Sequence, residues 1–320
     1  MCSMIVSRSF LMTTKSKIRH LACITVPRMF FLDKLGVAKR RFVSCYRHMI
    51  HPCRSDWGRP GRPVRMLLSP IFYHYFSRPL PYLRALQLQE AIHALQLQQR
   101  GSSAPSHQDI LLLLQHTPVY TAGRRQTDSD TALERARLTA LGADFVLAQR
   151  GGELTYHGPG QIVGYPLLDL AGAALRTREY ICRLQRTLSL HLREAHGLAP
   201  VPSENMGVFL SAREKVASIG VHVRHGLTAH GFAMNVGREP LAWFDRIVAC
   251  GLADVKAVSI EGVTGGKVQV ETEVPGIVER FGRVMEREMV PLDVGSGELA
   301  KLVYTLEQES RGDERTTSSS

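Results

Sequence analysis

The sequence predicts a mixed α/β body of about 240 residues, without strict strand–helix alternation. Two observations carry this. Long segments at 81–100 and 176–197 repeat apolar residues with helical period, and short apolar runs between them are bounded by turn residues. Apolar residues make up 44% of the 320, enough to build a core.

The elements follow in order. In PYLRALQLQEAIHALQLQQR (81–100), Leu83, Leu86, Leu95 and the alanines supply an apolar face and the glutamines the opposite one, with Pro81 suited to a first turn. DILLLLQHTPVYTAG reads as one buried strand ending at a proline and a turn. TDSDTALERARLTALG reads as a helix with Asp/Ser caps and a glycine stop. ADFVLAQR and QIVGYPLLDL are strands flanking a glycine-rich hairpin or crossover. RTREYICRLQRTLSLHLREAHG (176–197) is an amphipathic helix in which Cys182 reads as a structural core residue. The strands MGVFL, EKVASIGVHV, LTAHGFAMNV and AVSI come next, then the helices VPGIVERFGRVMEREM and GELAKLVYTLEQE. The polar end, 310–320, is expected to be disordered.

Charge is unevenly distributed. The net charge is +11, yet residues 1–65 hold 14 Lys/Arg against Asp33 and Asp56, while the remainder holds 26 basic and 27 acidic residues. The basicity belongs to the leader, so a nucleic-acid-binding body loses its support. Rich in Arg, Lys, Ser and Thr and poor in acids, 1–65 reads as a mitochondrial presequence plus linker. A disordered basic tail, or an upstream extension with Met66 as the true start, stays open. No apolar run reaches the ~20 residues of a membrane span. Four of six cysteines lie in the leader; the body keeps Cys182 and Cys250, which is not a disulfide framework and suits a reducing compartment.

The stretch RGGELTYHGPGQ (150–161) implies close backbone approach to a ligand. Phosphate fits poorly: the glycine pattern GPGQIVG leads into a β run, not into a helix N-terminus, and no G-x-x-x-x-G-K-[ST] occurs. For metal, His157, His222, His225 and His230 cluster loosely, without H-E-x-x-H spacing or a cysteine pair, and His222 and His225 read as solvated turn residues. A nucleophile is the third option. Cys250 in WFDRIVACGL is followed by Gly251, but a free thiol of pKa ~8.5 needs an activating cation or base. Lys215 opens a strand of small and apolar residues and could supply one if its site is partly buried. A core cysteine and a strand-edge lysine remain the plain alternatives.

Together, RGGELTYHGPGQIVGYPLLDL (150–170), KVASIGVHVRHGLTAHGFAMNV (215–236) and WFDRIVACGL (243–252) resemble the lipoyl(octanoyl) transferase family, the octanoyl-carrier-protein:protein transferases of lipoate biosynthesis. The resemblance covers roughly 72–290 and suits a mitochondrial eukaryotic member. It implies the fold of lipoate and biotin protein ligases, with 66–309 as one catalytic domain, and an acyltransferase that moves octanoyl from octanoyl-acyl carrier protein to a lysine of apo lipoyl domains. Those acceptors are the domains of 2-oxoacid dehydrogenases and the glycine-cleavage carrier protein. By the same resemblance Cys250 carries the acyl group as a thioester and Lys215 activates it. The pocket falls on Arg150, Gly151, Gly152, Glu153, Leu154, Thr155, Tyr156 and His157, on Ser218, Ile219 and Gly220, and on Gly231, Phe232 and Ala233. His230 and Asn235 are near-site candidates.

In this reading Tyr156 and His157 line the reacting end, and Arg150 braces the loop or meets the acidic carrier. Members often have Pro where this chain has Ala249 and Gln where it has Glu153; the carboxylate could pair with Arg150. No cofactor, metal, nucleic acid or membrane span is expected, and a monomer is. Two other readings are an ATP-dependent lipoate or biotin protein ligase on the same fold and a non-catalytic module that binds lipoyl domains or carrier proteins.

Overall fold

The computed structural model describes residues 69–101, 107–252 and 254–312. The leader expected at 1–65 and the last residues, 313–320, lie outside the described residues.

Strands β1 (Ile71–Tyr75), β2 (Asp109–Leu114), β6 (Gln161–Leu167), β7 (Val208–Ser211), β8 (Glu214–Arg224), β9 (Leu227–Asn235), β10 (Lys256–Ala257) and β11 (Met289–Pro291) form one sheet. Its order is β10-β8-β9-β6-β2-β1-β11, and β7 pairs with β8 off that path. β1 runs parallel to β2 and β11, and β10 parallel to β8; the central pairs β2–β6, β6–β9 and β9–β8 are antiparallel. A second sheet orders β4 (Asp144–Leu147), β3 (Val119–Ala122) and β5 (Thr155–His157). The mixture follows from the connections. Long helical crossovers permit parallel neighbours, whereas the two-residue turn His225–Gly226, both at positive φ, forces β8 and β9 antiparallel.

Helices cover both faces of the large sheet, which is why β2 reads DILLLL without alternation. Leu111 and Leu113 enter one core with α3 (Thr177–His196) and α6 (Val270–Met285). Ile110, Leu112 and Leu114 enter the other with α1 (Tyr82–Gly101) and α7 (Glu298–Gly312). α2 (Asp128–Thr139) packs on the small sheet through Leu138 and starts at a capping box of Thr127 and Asp130. Two short helices, α4 (Leu241–Phe244) and α5 (Ile260–Thr264), flank a single 3₁₀ turn at Ala249–Gly251.

Several expectations change. DILLLLQHTPVYTAG divides at Pro118 into β2 and β3, because two sheets each take one half. On α1 Leu83 is exposed, while Gln89 and Gln96 are buried. Both glutamines bond the backbone beneath the helix: Gln96 donates to the carbonyls of Gln108 and Leu167, and Gln89 accepts from the His230 amide. AVSI keeps only its first residue in a strand, since Ser259 caps α5 instead. α7 runs on to Gly312, into the segment expected to be disordered. Cys182, half-buried on α3, is disulfide-bonded, which the scattered cysteines did not foretell.

Candidate active site

Lys215 is the second residue of β8 and only 8% exposed, an unusual position for an ammonium. Its Nζ lies 5.6 Å from the centre of the Phe209 ring on β7, over the face that favours cations. Beneath it, Gly207 is held at φ +133, and a Cβ there would stand 2.6 Å from the Lys215 Cε. Any larger residue at 207 would both strain the backbone and displace the lysine.

Lys215 opens onto a cavity of about 330 Å³, part of it open to solvent, lined also by Ala217, Ser218, Ala233, Asn235 and Ala249. Ala249 begins the 3₁₀ turn that carries Cys250, so the two ends of the sequence signal meet at one pocket. The next residue, Gly251, takes φ +68, and a Cβ there would collide with the Glu153 carboxylate. Small residues continue from the pocket across the sheet: Ser218 pairs with Ala233 and Gly220 with Gly231. Their lack of bulk leaves room along that face for the Arg150–Glu153 loop. A Cβ on Gly220 would come 2.8 Å from the Gly151 carbonyl oxygen.

Arg150 holds this loop. Its guanidinium is 7% exposed and donates to the Thr121 hydroxyl at 2.7 and 3.0 Å, to the Thr121 carbonyl, to the Gly151 carbonyl at 3.0 Å and to the Glu153 carbonyl at 2.9 Å. The bracing role thus falls to Arg150. Glu153 offers it a carbonyl, while its carboxylate pairs with Arg125 at 3.7 Å. Arg150→Lys keeps the charge but loses the planar fork. It should lower stability by about 1–3 kcal/mol in denaturant unfolding.

A buried polar chain runs beside the pocket. His157 Nδ1 meets Gln161 Oε1 at 2.8 Å, Gln161 donates to Asn235 Oδ1 at 2.8 Å, and Asn235 donates to the Val258 carbonyl at 3.0 Å. The Val258 amide in turn donates to the Lys215 carbonyl at 2.9 Å. Nearby, His116 Nδ1 reaches the Leu80 carbonyl at 2.9 Å, and its Nε2 accepts from the Tyr165 hydroxyl at 2.6 Å. That arrangement suits a neutral imidazole.

Burial pushes His116 down to about 4, and burial with the Arg150 charge pushes His230 down to about 3. Unfolded histidines protonate near ~6.5, so between that pH and the folded values the unfolded chain binds more protons. Stability should therefore fall as pH drops below about 6.5, by about 2 kcal/mol per residue at pH ~5. Denaturant melts at pH ~7.5 and ~5 should show this, and His116→Gln should remove about 2 kcal/mol of the difference.

Not all the sequence candidates meet at the pocket. Ser218, Ala233 and Asn235 line it with Lys215, and Gly151, Gly220 and Gly231 lie along the adjoining strip. Ile219 and Phe232 point into the core under α3. Tyr156 stacks on Trp243 at 5.3 Å, and Leu154 shares that small core. Thr155 is buried within β5, Gly152 sits at φ +93 against Gly123, and His230 packs edge-on to Tyr165 at 6.2 Å. Sequence reasoning missed Phe209, Gly207 and Gln161. The sequence alone puts Gly207 and Phe209 within the strand MGVFL, whereas the strand starts only at Val208.

Comparison with known proteins is consistent with this geometry. The family model of the lipoyl protein ligase A/B catalytic domain matches residues 81–282. The chain is 37% identical to an octanoyltransferase of Caldicellulosiruptor saccharolyticus over 63% of its own length and 84% of that protein. It is 36% identical to the mitochondrial octanoyl-[acyl-carrier-protein]:protein N-octanoyltransferase LIPT2 of Danio rerio, over 63% of this chain and 87% of the relative. A crystal structure of lipoate-protein ligase A bound with ATP superposes with a TM-score of 0.54 at 14% identity, over 76% of this chain and 94% of that one; this likeness is one of fold. The chain belongs to the lipoyl protein ligase A/B catalytic domain family.

Proposed function

We propose that this protein is an octanoyltransferase that moves an octanoyl group from octanoyl-acyl carrier protein to a lysine of apo lipoyl domains, through a thioester on Cys250. The observation that carries the reading is the buried Lys215, facing a pocket whose other wall is the turn bearing Cys250. In the first step the Cys250 thiolate attacks the donor thioester. The carrier C–S bond breaks as the new one forms, and the carrier thiolate takes a proton from Lys215. In the second, the acceptor amine attacks the acyl-cysteine, Cys250 leaves as thiolate, and the amine proton passes to Lys215. The amide product is more stable than either thioester, so the substrate's own activation drives transfer. The octanoyl chain would enter the pocket beside Lys215, where Ala217, Ala233 and Ala249 supply small apolar side chains.

The remaining assignments belong to the same proposal: a leader at 1–65, one catalytic domain at 66–309, a monomer, and acceptors among 2-oxoacid dehydrogenases and the glycine-cleavage carrier protein. Mitochondrial matrix localisation is supported by the basic, acid-poor leader and by the mitochondrial relative from Danio rerio. An assay with apo lipoyl domain as acceptor separates this from a ligase. Octanoyl-lysine should form from octanoyl-acyl carrier protein without ATP. Product only from free octanoate plus ATP would establish the ligase, and carrier or lipoyl-domain binding without product would establish a non-catalytic module.

A further inference from the structure

The end of α3 meets the start of α6 through three ligand-type side chains: His191, His196 and Glu273. His191 is 1% exposed, and both imidazole Nε2 atoms lie 2.6 Å from the same oxygen, Glu273 Oε2. One potential ligand atom from each residue falls within 4.8 Å of the others. The first-turn position of Glu273 on α6 and the last-turn position of His196 on α3 follow the helix dipoles, which favour an anion at the former and a cation at the latter.

We infer that His191, His196 and Glu273 form a site for one divalent transition-metal ion of the zinc class, clasping α3 to α6. Two imidazoles and a carboxylate are a donor set zinc takes readily, commonly with water as a fourth ligand. The side chain of His196 is 12% exposed, which supplies an entry path and room for that water. To ligate, each imidazole presents its Nε2 lone pair, so a neutral ring carries its proton on Nδ1 and a protonated ring releases one proton to solvent. Ligand atoms about 2.0–2.1 Å from a tetrahedral ion stand about 3.3 Å apart, so the contacts now at 2.6 Å open by well under 1 Å, within the reach of side-chain rotation. Nearby, Arg280 is engaged by Glu194 and Glu279 at 3.1 Å each, which offsets its charge. Gly276 lies against the His191 ring, and a Cβ there would stand only 3.1 Å from it.

The full-length protein, stripped by a chelator, should be titrated with Co²⁺ and followed by visible absorption, with Zn²⁺ thermal melts in parallel. One equivalent should give a tetrahedral d–d band that is lost in both His196→Ala and Glu273→Gln. Zn²⁺ at 100-fold excess over its Kd should raise the wild-type melting temperature by roughly 5–10 °C and leave each variant at its own apo value. Cobalt bound by leader cysteines is recognised by its sulfur charge-transfer band and by its persistence in the variants. A wild type with no d–d band and no melting shift, or variants that keep both, would overturn the inference. His196→Ala, near the solvent end of α3, also separates metal loss from loss of the buried hydrogen-bond network, since its apo melt is its own reference.

Discussion

Cys250→Ala is expected to abolish octanoyl transfer, leaving only the uncatalysed background, with the thermal melt unchanged. The substitution removes the only atom of residue 250 that can hold the acyl group covalently. Without it the donor thioester and the acceptor amine would have to react directly, with no enzyme-bound acyl group between them. Knocking out the nucleophile of a covalent enzyme costs up to ~10⁶-fold in turnover elsewhere. The turn holds Gly251 at positive φ, a backbone condition the substitution leaves in place, so the fold should persist. Measured transfer within tenfold of wild type would remove Cys250 from the mechanism.

Lys215→Ala should slow acylation by about 10²–10⁴-fold, the range expected for losing a general acid–base group. Because the lysine lies over Phe209 and beside Gly207, its removal leaves a small void next to the pocket and not a broken core, so the protein should still fold. Lys215→Arg should not restore the rate: a guanidinium keeps its proton at working pH and cannot exchange it. Acylation rates measured in a single turnover, at several pH values, separate this role from a purely steric one. A steric role would let arginine or methionine recover much of the rate.

Much of this arrangement was legible in the sequence, and the reasons differ by element. The long helix α3 announces itself because one apolar face repeats every 3.6 residues over 20 positions, whereas α1 was legible by its length and helix-forming composition and not by which residues it buries. The β8–β9 hairpin shows as two apolar runs about a charged turn. The division of 109–122 between two sheets was not visible, since strands buried on both faces lack any period that marks where one sheet ends. At the site, Lys215 stood out because a charge at the mouth of an apolar strand needs an explanation. Its partner Phe209 did not, as an aromatic carries no signal until pairing sets β7 beside β8. The roles of Tyr156 and Arg150 depend on which way a side chain turns from a glycine-rich loop, and only the Trp243 stack and the Thr121 hydroxyl decide that. His191, His196 and Glu273 escaped for a similar reason: five residues on one helix and a carboxylate some eighty residues later make no local motif.

Intact-mass analysis after incubation with octanoyl-acyl carrier protein tests the central claim most directly. The account predicts a single octanoyl adduct on the wild type, kept in Cys182→Ala, absent in Cys250→Ala, and discharged when apo lipoyl domain is added. An adduct that survives Cys250→Ala, or one that apo lipoyl domain never removes, would contradict it.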